Sequence, residues 1–200
     1  MHRNSQLLFD RYARSYFQSG MRVLEIGPAS HPSHYARAVQ VPELTWHTID
    51  ISAHPSLTFQ ALDEYRFPIK DDSYDIVLSG QVLEHVRRIW VWIGELARVC
   101  KPGGHIITIS PVSWPYHEAP VDCWRVFPEG MRTLYAEAAL DVVMSRSESL
   151  EAEGLARVIY GRGRDWQTSE ELRIMERCAP LGAPVECSLD TITIGRKPEG

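Results

Sequence analysis

The chain has 200 residues, 44% of them hydrophobic and 24% charged, and a formal net charge of −5. That length suits one domain with its own core, and the composition is that of an ordinary globular protein. No block of Lys or Arg forms a phosphate-tracking surface, so a nucleic-acid partner is not expected.

No apolar run reaches the ~18 residues of a membrane span, and no membrane partner is expected. Cys100, Cys123, Cys178 and Cys187 form no Cys-x-x-Cys pair, which argues against a zinc site or a disulfide framework. The start, "MHRNSQLLFDRYARSYF", lacks the apolar core of a signal peptide, so a reducing, cytoplasmic setting is the expectation.

In chain order, Leu7, Leu8, Tyr12, Tyr16 and Phe17 recur at helical spacing before Gly20, predicting a leading helix over 5–18. "RVLEIG" (22–27) is a short apolar strand, and residues 33–39 form a brief helix. "TWHTIDI" (45–51) is a second strand and "LTFQAL" (57–62) a weaker third. "YDIVLSG" (74–80) is a strand with a small-residue exit. "VLEHVRRIWVWIGELARVC" (82–100) is a long helix or a helix pair, stopped by "KPGG". "HIITISP" (105–111) is a β-branched strand. A proline- and aromatic-rich stretch (111–128) precedes a helix over 128–140, a strand over 141–149, a helix over 169–178 and a closing edge strand over 190–197.

Strands alternating with helices over 20–111 predict an α/β fold: a doubly wound, mostly parallel sheet with helices on both faces. The C-terminal strand is expected as an antiparallel edge. The division is a single domain over 1–200: a leading helix (1–20), a cofactor-binding core (21–111), and an acceptor loop with completion of the sheet (112–200), interrupted by an insertion at about 151–188.

Gly27 and Asp50 carry the first chemical argument. An acid at the end of the second strand, about 20 residues past a glycine turn, suits the two hydroxyls of a ribose. A capping Asp is the plainer reading of Asp50. A dinucleotide's diphosphate wants a glycine-rich cradle of backbone donors, yet Pro28, Ala29, Ser30 and His31 follow Gly27, and Pro28 has no N–H. A phosphate-free cofactor fits better. S-adenosylmethionine is one, and Glu25 would offer negative charge near its sulfonium or amino group.

Four segments in order, "VLEIGP", "HTIDIS", "LDEYRFPIKDDSYDIVLSGQVLEHV" and "ELARVCKPGGHIITIS", resemble the class I S-adenosylmethionine-dependent methyltransferases, with a type 11-like domain and a seven-stranded Rossmann-like sheet. The resemblance implies an enzyme using S-adenosylmethionine as its cofactor. By it, Gly27, Pro28, Ala29 and neighbouring backbone hold the methionine part, Asp50 the ribose, and Ile51 the adenine face. Asp63, with Glu64 beside it, accepts from the adenine amino group, and Ser79 and Gln81 flank the methionine tail. "GPASHP" departs from the family's glycine-rich loop, so a non-catalytic adenosyl-ligand-binding or partner subunit stays open as a rival. A nicotinamide-dependent oxidoreductase is the weaker one.

The acceptor is expected beyond the fourth and fifth strands. "SWPYHEAPVDCWR" offers His117 as a base, since its ordinary pKa lies near neutrality, with Asp122 beside it. His85 is the lesser candidate and reads more naturally as structural. Asp122 and Arg125 also read as a salt bridge fixing the loop. His31 and His34 have a metal-like spacing without an acid partner, and no metal is expected. "YHEAPVDCWRVFPEGM" resembles, more loosely, methyltransferases of polysaccharide and secondary-metabolite pathways. That implies an oxygen or nitrogen acceptor on a small metabolite or sugar. The nucleic-acid methylation tetrapeptide Asn/Asp-Pro-Pro-Tyr/Phe is replaced by "SGQV". Trp90 and Trp92 suit the core, and one left exposed would mark a homodimer surface.

Overall fold

Short β-branched runs buried on both faces make parallel strands. In the computed structural model these are β1 (Arg22–Ile26), β2 (Thr45–Asp50), β3 (Phe59–Gln60), β4 (Tyr74–Gly80) and β5 (Cys100–Ser113), joined by β6 (Asp141–Glu148) and β7 (Leu189–Arg196). The structure describes residues 3–114, 116–118, 120–151 and 189–199. The helix expected at 169–178 lies outside them, as does the 151–188 insertion beyond its first residue.

Among the described residues the sheet has seven strands, in the order β3-β2-β1-β4-β5-β7-β6. β1 to β5 pair in parallel, and β7 runs antiparallel to both β5 and β6. The antiparallel C-terminal strand is thus present, one place in from the edge, and β6 is outermost. The burial patterns give the reason. β7 is buried from Leu189 to Gly195, whereas β6 is largely exposed or half-buried, as suits an edge.

Helices cover both faces. On one, α3 (Ile89–Val99) and α4 (Pro128–Glu137) bury Trp92, Leu96, Met131 and Tyr135 against Leu24, Val77 and Ile106. On the other, α1 (Arg3–Leu8), its continuation to Tyr16 and α2 (His34–Ala38) bury Leu8, Phe9 and Tyr35 against Val23, Ile76 and Ile192. The leading helix is irregular, widening to a π turn over Phe9–Ala13 and tightening to a 3₁₀ turn over Arg14–Tyr16. Phe9, Ala13 and Phe17 are buried at intervals of four, longer than the 3.6 residues of a regular turn, and a widened turn keeps them on one side.

The 82–100 segment is a pair: a 3₁₀ turn over Leu83–His85, then α3. Trp92 is in the core, while Trp90 is 51% exposed and set edge-on to Trp124. The "KPGG" breaker lies within β5 as a bulge, where the register jumps from Tyr74↔Cys100 to Ile76↔His105. Among the described residues no helix is long and apolar enough to cross a membrane.

Candidate functional site

The chain steps outward from β1 to β2 and β3, then returns to the far side of β1 as β4. At such a switch point the loops diverge and leave a crevice beyond the carboxyl ends of the strands. A cavity of about 520 Å³ lies there, with Gly27, Asp50, Ile51, Glu64, Gln81 and His85 on its wall. Gly27 is required twice over: its φ is +66°, and a Cβ would collide with Val82.

Asp50 accepts the Ser52 N–H at Oδ1 (2.7 Å). It lines both the main cavity and a second one of about 450 Å³, bordered by Pro28, Ala29, His31 and His54 among others. Pro28 and Ala29 therefore border the neighbouring space. Ile51 is 42% exposed at the main cavity, a free apolar face. Gln81 has a left-handed backbone (φ +60°), which costs energy in a non-glycine residue. Its amide Nε2 donates to Ser5 Oγ (2.7 Å) and Asp190 Oδ1 (3.0 Å), while its Oε1 is buried with no partner. Glu64 Oε1 is 3.7 Å from Arg87, and its Oε2 is likewise buried and unpartnered.

Three residues expected at the cofactor lie elsewhere. Strand alternation turns Glu25 away from Ile26 and the cavity; its carboxylate accepts from Ser33 Oγ (2.6 Å) and Trp46 Nε1 (2.8 Å). Burial raises its pKa to about 7. Asp63 is exposed and accepts the N–H of Tyr65 in a local turn, which leaves Glu64 as the acid on the cavity wall. Ser79 is buried outside the cavity lining, its hydroxyl unpartnered.

The loop after β5 folds back onto the Leu83–His85 turn. The Cys123 N–H donates to Glu84 O (2.7 Å), the Val121 carbonyl meets His85 Nδ1 (2.6 Å), and Trp124 Nε1 donates to Val86 O (2.9 Å). This brings the rings of His85 and His117 to 4.9 Å, edge to face. His117 Nδ1 is 3.4 Å from Asp122 Oδ2. Asp122 receives Arg125 at both oxygens (2.5 and 2.7 Å), which holds its carboxyl down at about 2. It is an anchored anion, not a proton acceptor, so the salt-bridge reading of this pair holds. Glu84 lies beneath, fully buried, with neither carboxylate oxygen hydrogen-bonded and its pKa raised by burial to about 8. The supports of Gln81 were not legible in the sequence, because Ser5 and Asp190 come from opposite ends of the chain.

Residues 10–108 match the family described as a methyltransferase domain. Demethylmenaquinone methyltransferase of Streptomyces griseus is 31% identical over 114 residues, covering 56% of this chain and 44% of the relative, so the chain spans less than half that relative's length. Among solved structures, phosphoethanolamine N-methyltransferase 2 of Haemonchus contortus, in complex with S-adenosyl-L-methionine, superposes with a TM-score of 0.60 at 13% identity, over 97% of this chain and 52% of the other. The [4+2]-cyclase SpnF does so at 0.62 and 19% identity, over 98% and 80%. At these identities the superpositions speak for the fold alone. With the family match over the parallel strands, the Gly27 turn and the acid closing β2, the chain belongs to the class I S-adenosylmethionine-dependent methyltransferases.

Proposed function

We propose that the protein transfers the methyl group of S-adenosylmethionine to an oxygen or nitrogen of a small metabolite or sugar. The observation that carries this reading is the pair of unsatisfied buried oxygens, Glu64 Oε2 and Gln81 Oε1, on residues lining the cavity beside Asp50. A buried acceptor without a donor costs about 1–3 kcal/mol. An adenosyl ligand brings the missing donors in its amino groups and ribose hydroxyls, and the cavity volume is in the range of cofactor sites.

In this reading Asp50 takes the ribose, Ile51 packs on the adenine, Glu64 accepts from the adenine amino group, and Gln81 and Gly27 hold the methionine end. The cofactor supplies a methyl carbon already activated by a sulfonium. The protein's own part is alignment and exclusion of water. In this reading His85 on the cavity wall marks the acceptor's end, with His117 beside it and Asp122 behind His117. A nicotinamide dinucleotide is disfavoured because Pro28 offers no N–H to a diphosphate.

Calorimetry with S-adenosylmethionine, S-adenosylhomocysteine and NADH tests the reading: the first two are expected to bind and NADH not. Asp50→Ala is expected to weaken S-adenosylhomocysteine binding by about 1–3 kcal/mol. Unchanged binding would remove the ribose role, and NADH binding alone would overturn the class.

A further inference from the structure

His85 on the cavity wall belongs to a set of donor atoms, completed behind it by Glu84 and His117, that methyl transfer as proposed does not use. Glu84, His85 and His117 each offer one ligand atom, and these atoms lie within 4.8 Å of one another. We infer that they form a site for one divalent transition-metal ion, a two-histidine, one-carboxylate set with open positions toward the cavity.

Glu84 gives the first reason. Its side chain is 0% exposed, yet neither oxygen has a hydrogen-bond partner. A desolvated carboxylate in that position is stabilised only by a proton or a cation. His85 gives the second. The Val121 carbonyl occupies its Nδ1 at 2.6 Å, and its Nε2 lies 3.8 Å from Glu84 Oε1. The carbonyl takes the Nδ1 proton, so in the neutral imidazole the Nε2 lone pair faces the carboxylate. His117 has a carboxylate behind it as well: Asp122, held by Arg125, stands 3.4 Å from its Nδ1. A carbonyl or carboxylate behind each imidazole is the outer shell that metal-binding histidines carry.

Ligands sharing one ion stand about 3–3.5 Å apart, given metal–ligand distances near 2.0–2.2 Å, so a small closing of the side chains completes the set. Nitrogen with one carboxylate suits Mn²⁺, Fe²⁺, Co²⁺ or Zn²⁺ better than Mg²⁺ or Ca²⁺. His85 also lines the main cavity, so the open positions face the acceptor. The use of the ion, though not its binding, rests on the methyltransferase reading. A bound acceptor hydroxyl becomes more acidic and releases its proton to solvent, and His117 acts as a ligand instead of the free base that its sequence position suggested.

The test is Co²⁺ titration of the tag-free full chain after chelator treatment, read by visible absorption, with Zn²⁺ calorimetry alongside. One ion per chain is expected, with affinity at least tenfold lower in Glu84→Gln and in His117→Ala and unchanged in His54→Ala, whose imidazole lines the other cavity. Melting curves report whether Glu84→Gln folds. If it does not, His117→Ala decides, since its side chain is partly exposed. No wild-type binding, or binding that neither variant weakens, overturns the inference. S-adenosylhomocysteine calorimetry on the same samples separates the two proposals: cofactor binding without metal binding removes only the ion.

Discussion

Burial lifts the Glu25 carboxyl from its ordinary 4.5 to about 7, although Ser33 and Trp46 both donate to it. The native state therefore holds that proton more tightly than the unfolded chain does. The resulting stabilisation is full below about pH 4.5 and is lost as pH rises through about 7, up to about 3 kcal/mol in all. Glu25→Gln, a permanently neutral copy, is expected to flatten that part of the profile. Urea melts of both proteins from pH 5 to 8 measure it, and parallel profiles would contradict the raised carboxyl. The same residue shows what the sequence could reveal. Gly27, Asp50 and Ile51 were readable because spacing along a strand–turn–strand fixes where they point. Glu25 was misplaced because alternation along β1 decides its face. Asp63 and Glu64 are adjacent acids, and only a local turn around Asp63 decides which reaches the cavity.

Between elements, Arg98 on α3 ties the turn before β4 to the helix. It donates to Glu95 and Asp71, and to the carbonyls of Phe67 and Ile69, while Glu95 accepts the Phe67 N–H. Glu95 is 6% exposed, so losing the guanidinium strands a buried charge. Arg98→Ala is expected to cost about 2–4 kcal/mol, measured as a lower urea midpoint with an unchanged slope. A shift below half that would reduce the network to a surface ornament. Helix α3 itself was plain in the sequence, since Ile89, Trp92, Ile93 and Leu96 follow the helical period. The 3₁₀ turn ahead of it was legible only as one half of a pair. The meeting of Glu84, His85 and His117 was not legible at all, because it needs the loop after β5 to return to a turn 36 residues earlier in the chain.

Across the whole molecule, residues near the two ends of the chain close on each other. Asn4 donates to Asp190 Oδ2 and Glu148 O and accepts the Leu150 N–H, and Asp190 in turn holds Gln81. Asn4→Ala is expected to destabilise the fold by about 2–4 kcal/mol through unsatisfied buried groups. It should also weaken S-adenosylhomocysteine binding, because Gln81 loses part of its support; a stability loss with full affinity would uncouple the two. Alternating strands and helices made the parallel half of the sheet legible, but the placement of β7 was not, since nothing local in "DTITIGRK" names its neighbours. That placement matters during synthesis. Among the described strands β6 pairs with β7 alone, so it stays an unmatched ribbon until β7 slides in beside it. Until then Gln81 lacks its aspartate, so a polypeptide not yet extended through β7 should hold ligand less tightly, and cofactor affinity becomes a report on whether β7 is in place.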